Sequence, residues 1–262
     1  MKDKRFALLV GINYRKTSSE LAGCINDVKD VNKLLKDKFN YRDSNITILT
    51  EDATPPTKDN IIKNLTNLVL KTVKGEADSI FFHYSGHGSY IRDINGDEKD
   101  GRDEVLCPLD YEKKGFITDD NLNSIIKLMP KETSFFALLD CCHSGTMFDL
   151  KFNHLHGDER VTEERKALKI ESHVIAYSGC LDKQTSADAW INGRFNGAMT
   201  KSFLESLKKN NYNITYFELL KDMRSYLNKN KYSQKPQLTC SLKLDKDDYF
   251  CKSNRRTLFW SF

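Results

Sequence analysis

The chain has 262 residues, 39% of them hydrophobic, enough to bury one sizeable core, and α/β chains of this size commonly fold as one unit. Its 41 basic and 37 acidic residues are interspersed along the whole length and leave a net charge of +4, a weak mixed field that argues against nucleic acid as the main partner. The opening MKDKRFALLVGINY holds an apolar run of about seven residues before Asn13, too short for a secretory or membrane-spanning segment. Seven cysteines without regular spacing point to reduced thiols in a cytoplasmic or nuclear protein rather than a disulfide framework.

In chain order, FALLVGI (6–12) is the first short apolar run with the length and β-branched content of a buried strand. Residues 25–38 place Val28, Val31, Leu34, Leu35 and the following Phe39 at three- and four-residue spacing, a helix with one apolar face. NITILT (45–50) predicts a strand, 58–73 a second helix, SIFFHYS (79–85) a strand, 120–128 a helix and SFFALLD (134–140) another strand. After HVIAYS (173–178), again a strand, helices are expected over 197–208 and 215–228. The alternation predicts a largely parallel sheet with helices on both faces. Residues 151–171 interrupt it with dense mixed charge, which suits an exposed, mobile linker between two parts of a single domain, 1–150 and 172–262. Arg160, Arg165, Lys166 and Lys169 would be open to proteolysis there; a plain surface loop is the alternative.

Ligands of open α/β sheets sit beyond the carboxyl ends of the strands, and two such ends carry reactive groups. SIFFHYS runs directly into GHG, and SFFALLD into CCHSG. A thiol must ionise to attack a carbonyl, a nearby imidazole favours that state, and flanking glycines let a substrate backbone approach. Cys142 with His87 meets these needs, whereas a solitary buried cysteine is more often a small hydrophobe. Zinc is disfavoured: His83 and His87, four apart along a strand, would stand roughly 13 Å from each other, and no CxxC pair is present.

Six carboxylates fall within DINGDEKDGRDE (93–104), and two more at Asp119 and Asp120. That density could bind a hard cation through oxygen. The resemblance to a calcium-binding helix-loop-helix, through Asp93, Asn95, Asp97 and Glu104, fails because Glu98 stands where the loop needs glycine. Asp119 and Asp120 have a plainer reading as helix caps. Asp27 reads most simply as an acidic residue placed at a helix N-terminus by the macrodipole. Asp140, a carboxylate ending an apolar strand, needs a partner.

HYSGHG (83–88) and DCCHSG (140–145) resemble the two catalytic signatures of metacaspases. The resemblance continues in order through GINY (11–14), LAGCINDV (21–28), DGRDEVLCPLD (100–110), ITDDNL (117–122), SGCLDKQTSAD (178–188), GAMTKSFLESL (197–207) and QKPQLTCS (234–241). It implies a caspase-like three-layer αβα sandwich with a central, mostly parallel sheet, in which 1–150 is the large-subunit-like part and 172–262 the small-subunit-like part. It further implies a cysteine endopeptidase with His87 as general base, Cys142 as nucleophile, and the amides of Gly88 and Cys142 as the oxyanion hole. Asp27 and Asp140, with Cys24 and Ser85 nearby, would line an acidic pocket selecting Arg or Lys. Asp103, Asp119, Asp120 and Asp149 would hold Ca²⁺. No third orienting carboxylate is evident, so the expectation is a dyad. A monomer acting on protein or peptide substrates, without an N-terminal leader, completes the picture; self-cleavage, with Arg160, Arg165, Lys166 and Lys169 as candidate sites, is left open. The competing reading is a catalytically silent caspase-like module that binds calcium or a partner; such a module would be expected to lack the thiol or the imidazole, and both are kept here.

Overall fold

The computed structural model describes residues 3–92, 102–142, 147–154, 162–163, 170–180, 188–191 and 194–250. Its first part runs β1 (Arg5–Gly11), α1 (Cys24–Phe39), β2 (Ile46–Thr50), α2 (Lys58–Val73), β3 (Ser79–Ser85), β4 (Gly88–Arg92) and β5 (Arg102–Leu106). A short α3 (Tyr111–Lys114), β6 (Ile117–Thr118), α4 (Asp119–Ile126) and β7 (Ser134–Asp140) follow. The chain continues with β8 (Phe152–Asn153), β9 (Thr162–Glu163), β10 (His173–Cys180), β11 (Asp188–Ile191), β12 (Arg194–Gly197), α5 (Ala198–Lys209), α6 (Tyr216–Lys229) and β13 (Lys235–Cys240).

Eight strands form the central sheet in the order β2-β1-β3-β7-β10-β13-β8-β9. The first five are mutually parallel and the last three antiparallel. Every residue of β3 and β7 is buried, which is why both read as unbroken apolar runs rather than alternating ones. Alternate residues of β1 feed opposite layers. Leu8 and Val10 pack with Ile61 and Leu65 of α2 and Leu122 of α4, while Ala7 and Leu9 pack with Val31 and Leu35 of α1 and with Phe203 and Leu220 of α5 and α6. The result is the expected three-layer αβα sandwich. Helix starts are set by hydroxyls: Thr57 caps α2, and Thr118 and Thr215 form capping boxes on α4 and α6.

One expectation needs correction. The linker is not exposed at its start: Phe152, Asn153 and His154 are buried, and β8 pairs with Thr239 and Cys240 of β13. Three antiparallel strands, β4, β5 and β6, form a separate small sheet beside the main one. Among the described residues no helix is long and apolar enough to cross a membrane. Cys24, Cys107, Cys141, Cys142 and Cys240 are thiols outside any disulfide.

Candidate active site

The pairing of β3 with β7 aligns the two reactive loops. Ser85 stands opposite Asp140 in a parallel register, so His87 and Cys142 each lie two residues beyond the same level of adjacent strands. The Gly86 amide donates to the Asp140 carbonyl at 3.3 Å, carrying the contact past the strand ends. Gly88 is pressed against the backbone of Cys142: a Cβ placed there would run into the Cys142 carbonyl oxygen and stand 3.2 Å from both Cβ and Sγ of Cys141. Only glycine lets the loops approach this closely. Cys141 is fully buried whereas Cys142 is half-buried, so the second thiol of the pair is the one presented to solvent.

His87 is also half-buried, and its Nε2 lies 2.8 Å from the Ser19 carbonyl oxygen. A carbonyl only accepts, so this contact assigns the proton to Nε2 and leaves Nδ1 as the basic nitrogen. The orienting group that side-chain reasoning did not find is therefore a backbone oxygen. Ser19 sits in a loop braced by Glu51, whose carboxylate accepts from the amides of Asn13 at 2.6 Å and Arg15 at 2.9 Å.

Asp27 and Asp140 come together around Gly197. Asp27 is fully buried and accepts from the Ser85 hydroxyl at 2.7 Å, from the Gly197 amide at 2.9 Å and from the Asn196 side-chain amide at 3.3 Å. Asp140 accepts from the Thr200 amide in the first turn of α5 at 2.7 Å. A Cβ on Gly197 would collide with Asp140 Oδ2 and stand 2.5 Å from Asp27 Oδ2. Burial pushes the Asp27 carboxyl well above the usual carboxylate range, and the like charge of Asp140 adds to this, against the lowering hydrogen bonds from Ser85, Gly197 and Asn196. Asp27 is thus not a solvated dipole-compensating residue on α1. It faces the N-terminus of α5, whose partial positive charge offsets the paired carboxylates. Of the other pocket residues anticipated, Ser85 joins this group, and Cys24 is buried at the start of α1, where its carbonyl abuts Gly11. Gly197, Asn196 and Thr200 were not anticipated individually. Gly197 and Thr200 fall in GAMTKSFLESL, read only as a matching motif, whereas Asn196 lies just before that stretch and carried no signal.

Among the described residues, Asp119, Asp120 and Asp149 bring carboxylate oxygens within 4.8 Å of one another. The capping reading of Asp119 and Asp120 is overturned, because Thr118 caps α4 with Asn121 as its reciprocal partner. Asp149 holds φ at +45°, a left-handed conformation uncommon for a residue other than glycine. Asp103 lies outside that trio, buried in β5; its neighbour Glu104 donates its amide to Asp119 at 3.0 Å. An all-oxygen, multiply charged donor set fits a hard cation such as calcium. The remaining carboxylates of 93–101, residues 143–146, and Arg160, Arg165, Lys166 and Lys169 lie outside the described residues.

The sheet order and the reactive loops at the carboxyl ends of β3 and β7 define a protein of the caspase-like α/β class. Its backbone superimposes on caspase-1 from Spodoptera frugiperda with a TM-score of 0.60 at 14% identity, over 93% of this chain and 88% of that one. A protein from Geobacter sulfurreducens matches with a TM-score of 0.64 at 22% identity, over 92% and 95%. Within this class the sequence is more specific. Residues 4–151 match the metacaspase, peptidase C14 domain. Metacaspase-1 of Coccidioides immitis is 37% identical across 92% of this chain and 62% of its own length, and metacaspase-1 of Debaryomyces hansenii is 38% identical across 91% and 65%. Metacaspase-1 of Ajellomyces capsulatus is 36% identical across 93% of this chain and 82% of its own length. The chain belongs to the metacaspase family, and it spans just under two thirds of the first two of these relatives.

Proposed function

We propose that this chain is a calcium-activated cysteine endopeptidase that cleaves after arginine or lysine, with His87 and Cys142 as its reacting groups. The observation that carries the reading is the matched register of Ser85 and Asp140, which starts both loops at one level, together with the Ser19 carbonyl on His87 Nε2. In the first step Nδ1 of His87 takes the Cys142 proton and the sulfur attacks the scissile carbonyl carbon, moving the π electrons onto its oxygen. The amides of Gly88 and Cys142 would receive that oxyanion, where one donor is typically worth about 10²–10³ in rate. Collapse breaks the C–N bond, the leaving amine takes the proton from His87, and a thioester remains. Water, deprotonated by the same imidazole, then attacks the thioester and releases the carboxylic acid and the thiol.

The paired carboxylates support the choice of a basic side chain. Two buried acids with a like-charge conflict gain most from a guanidinium, which satisfies both in a bidentate fork, and less from an ammonium. Asp119, Asp120 and Asp149 would hold calcium, with Asp103 as a further oxygen donor from β5. The ion supplies neutralisation of the clustered acids. Asp149 lies seven residues past Cys142, so holding it against α4 fixes the far end of the segment that follows the nucleophile. A cytoplasmic monomer is proposed as well, supported by the thiols and by β8, which pairs with Thr239 and Cys240 at one end of the β13 edge.

A fluorogenic peptide ending in arginine, assayed with calcium, tests the reading against a Cys142→Ala control and an aspartate-ending peptide. Activity that survives Cys142→Ala, or that persists undiminished in EGTA, would defeat the corresponding half of it. Mass spectrometry before and after calcium addition reports whether cleavage occurs at Arg160, Arg165, Lys166 or Lys169.

A further inference from the structure

Tyr14 and Tyr84 come from the carboxyl ends of β1 and β3, are both buried, and bring their hydroxyl oxygens to 3.2 Å. The His87 loop is wrapped around this meeting point. The His87 amide donates to the Tyr14 oxygen at 3.0 Å, and the Tyr84 hydroxyl lies 2.9 Å from the His87 carbonyl. A Cβ on Gly86, between them in sequence, would stand 2.9 Å from the Tyr84 oxygen and 3.0 Å from that of Tyr14. Cys107 closes the ring: its carbonyl lies 2.5 Å from the Tyr14 oxygen and 2.9 Å from that of Tyr84, and its amide donates back to the His87 carbonyl at 3.1 Å.

Two phenols supply two hydrogens, and here they are shared among the carbonyls of Cys107 and His87 and each other. The cluster holds together as a unit, because an unbonded hydroxyl buried at this point would be costly. The Tyr14 ring also packs on the His87 imidazole, with centroids 4.7 Å apart. Tyr14 holds φ at +50°, a conformation disfavoured for a bulky residue, and its carbonyl is secured by the amide and hydroxyl of Thr17.

We infer that Tyr14 and Tyr84 are positioning residues for the base: by bonding both backbone polar groups of His87 they hold its ring so that Nε2 stays on Ser19 and Nδ1 faces the nucleophile. The inference rests on the proposed roles of His87 and Cys142. Burial keeps both phenols neutral by pushing them well above their ordinary range. Besides His87, the titratable groups around them are Tyr111, whose ring meets that of Tyr14 edge-on at 6.3 Å, and the thiols of Cys24, Cys107 and Cys141, of which burial pushes that of Cys107 up to about 12.

The test uses the full chain with calcium, as Tyr14→Phe, Tyr84→Phe and, as a control, Tyr177→Phe. Tyr177 is buried on the opposite face of the sheet, and its hydroxyl donates to the Tyr216 carbonyl at 2.6 Å, so its loss removes a comparable buried bond away from the reacting loops. The readouts are kcat and KM on the arginine peptide, and the pH dependence of Cys142 alkylation by iodoacetamide. Tyr14→Phe and Tyr84→Phe should lower kcat by roughly 10- to 100-fold with KM little changed, as expected for misplacement of a reacting group. They should also move the alkylation limb to higher pH, while Tyr177→Phe leaves that limb in place. If Tyr14→Phe does not fold, Tyr84→Phe decides alone, since it keeps the Tyr14 bond to the His87 amide. Folded variants with wild-type kcat and an unmoved limb, or an equal shift in Tyr177→Phe, overturn the inference. His87→Ala and Cys142→Ala run alongside: activity surviving in these would sink the dyad itself rather than the tyrosine clamp alone.

Discussion

Gly88→Ala tests whether the approach of the two loops matters for chemistry. The added methyl would run into the Cys142 carbonyl oxygen and meet Cys141 Cβ and Sγ at 3.2 Å. None of these neighbours yields easily. The first two are backbone or backbone-proximal, and Cys141 is fully buried directly after β7, whose register with β3 is fixed along seven residue pairs. The loops must therefore separate by roughly 1 Å, and a displacement of that size in a reacting group can cost about 10²-fold. The central eight-stranded sheet is untouched, and Gly88 stands only at the first residue of β4 in the small sheet, so the melting temperature should fall only modestly. The assay is kcat/KM on an arginine-ending peptide with calcium, paired with a thermal melt. A folded Gly88→Ala enzyme within about threefold of wild type, measured against that expected 10²-fold loss, would show that the loops tolerate the separation and that their contact is incidental.

Asp140→Asn should reduce kcat/KM for an arginine peptide by roughly 10²–10⁴, since breaking a buried charge partnership typically costs about 3–5 kcal/mol; an unchanged ratio of arginine to glutamine peptides would count against the pocket. His83 is fully buried with its Nε2 3.1 Å from the Thr200 hydroxyl, and burial lowers its pKa from 6.5 to about 3. The native state then binds fewer protons than the unfolded one between these values, so this stability is complete above 6.5 and is lost as pH falls towards 3. The slope is at most about 1.4 kcal/mol per pH unit, and His83→Gln should remove it; urea midpoints of the two proteins that run parallel from neutral to acid pH would refute the assignment. Calcium should raise the melting temperature, with about 2.7 kcal/mol of stabilisation at a hundredfold excess over Kd, and Asp149→Asn should shift the required concentration upward; a melt indifferent to calcium would remove the site.

Strands 79–85 and 134–140 and helix 58–73 were legible to the residue, because each run has a single uninterrupted pattern between clear breakers. The strand β13 was not, since Pro236 argues against a sheet interior. It is tolerated because β8 covers only Thr239 and Cys240, leaving Pro236 on a stretch still at the edge. The two-residue strands β8 and β9 are too short to leave a pattern, and their pairing depends on distant residues of β13. At the site, Cys142 and His87 were legible because reactive side chains follow buried strands. Asp27 and Asp140 were identified through resemblance, and their mutual burial around Gly197 is a tertiary fact. The Ser19 carbonyl had no signal at all: every residue carries one, and only the fold says which of them meets an imidazole.

The end of β3 also divides the labour of the site by sheet face. Successive strand residues point to opposite faces, so His83 and Ser85 reach the layer of α1 and α5, where they meet Thr200 and Asp27. Tyr84, between them, turns to the other layer and meets Tyr14 and Cys107. Asp140 shares the first face with Ser85, and Cys141 belongs to the core of the second. The groups that would read the substrate side chain and those that hold the base are thus separated by the thickness of one sheet, although they alternate along a few residues. A one-residue slip of β3 against its neighbours would exchange the two sets, so the tight β3 register is a requirement of the chemistry and not only of the core. It follows that substitutions in the first turn of α5 should act mainly through KM, whereas those around Tyr14 and Cys107 should act mainly through kcat.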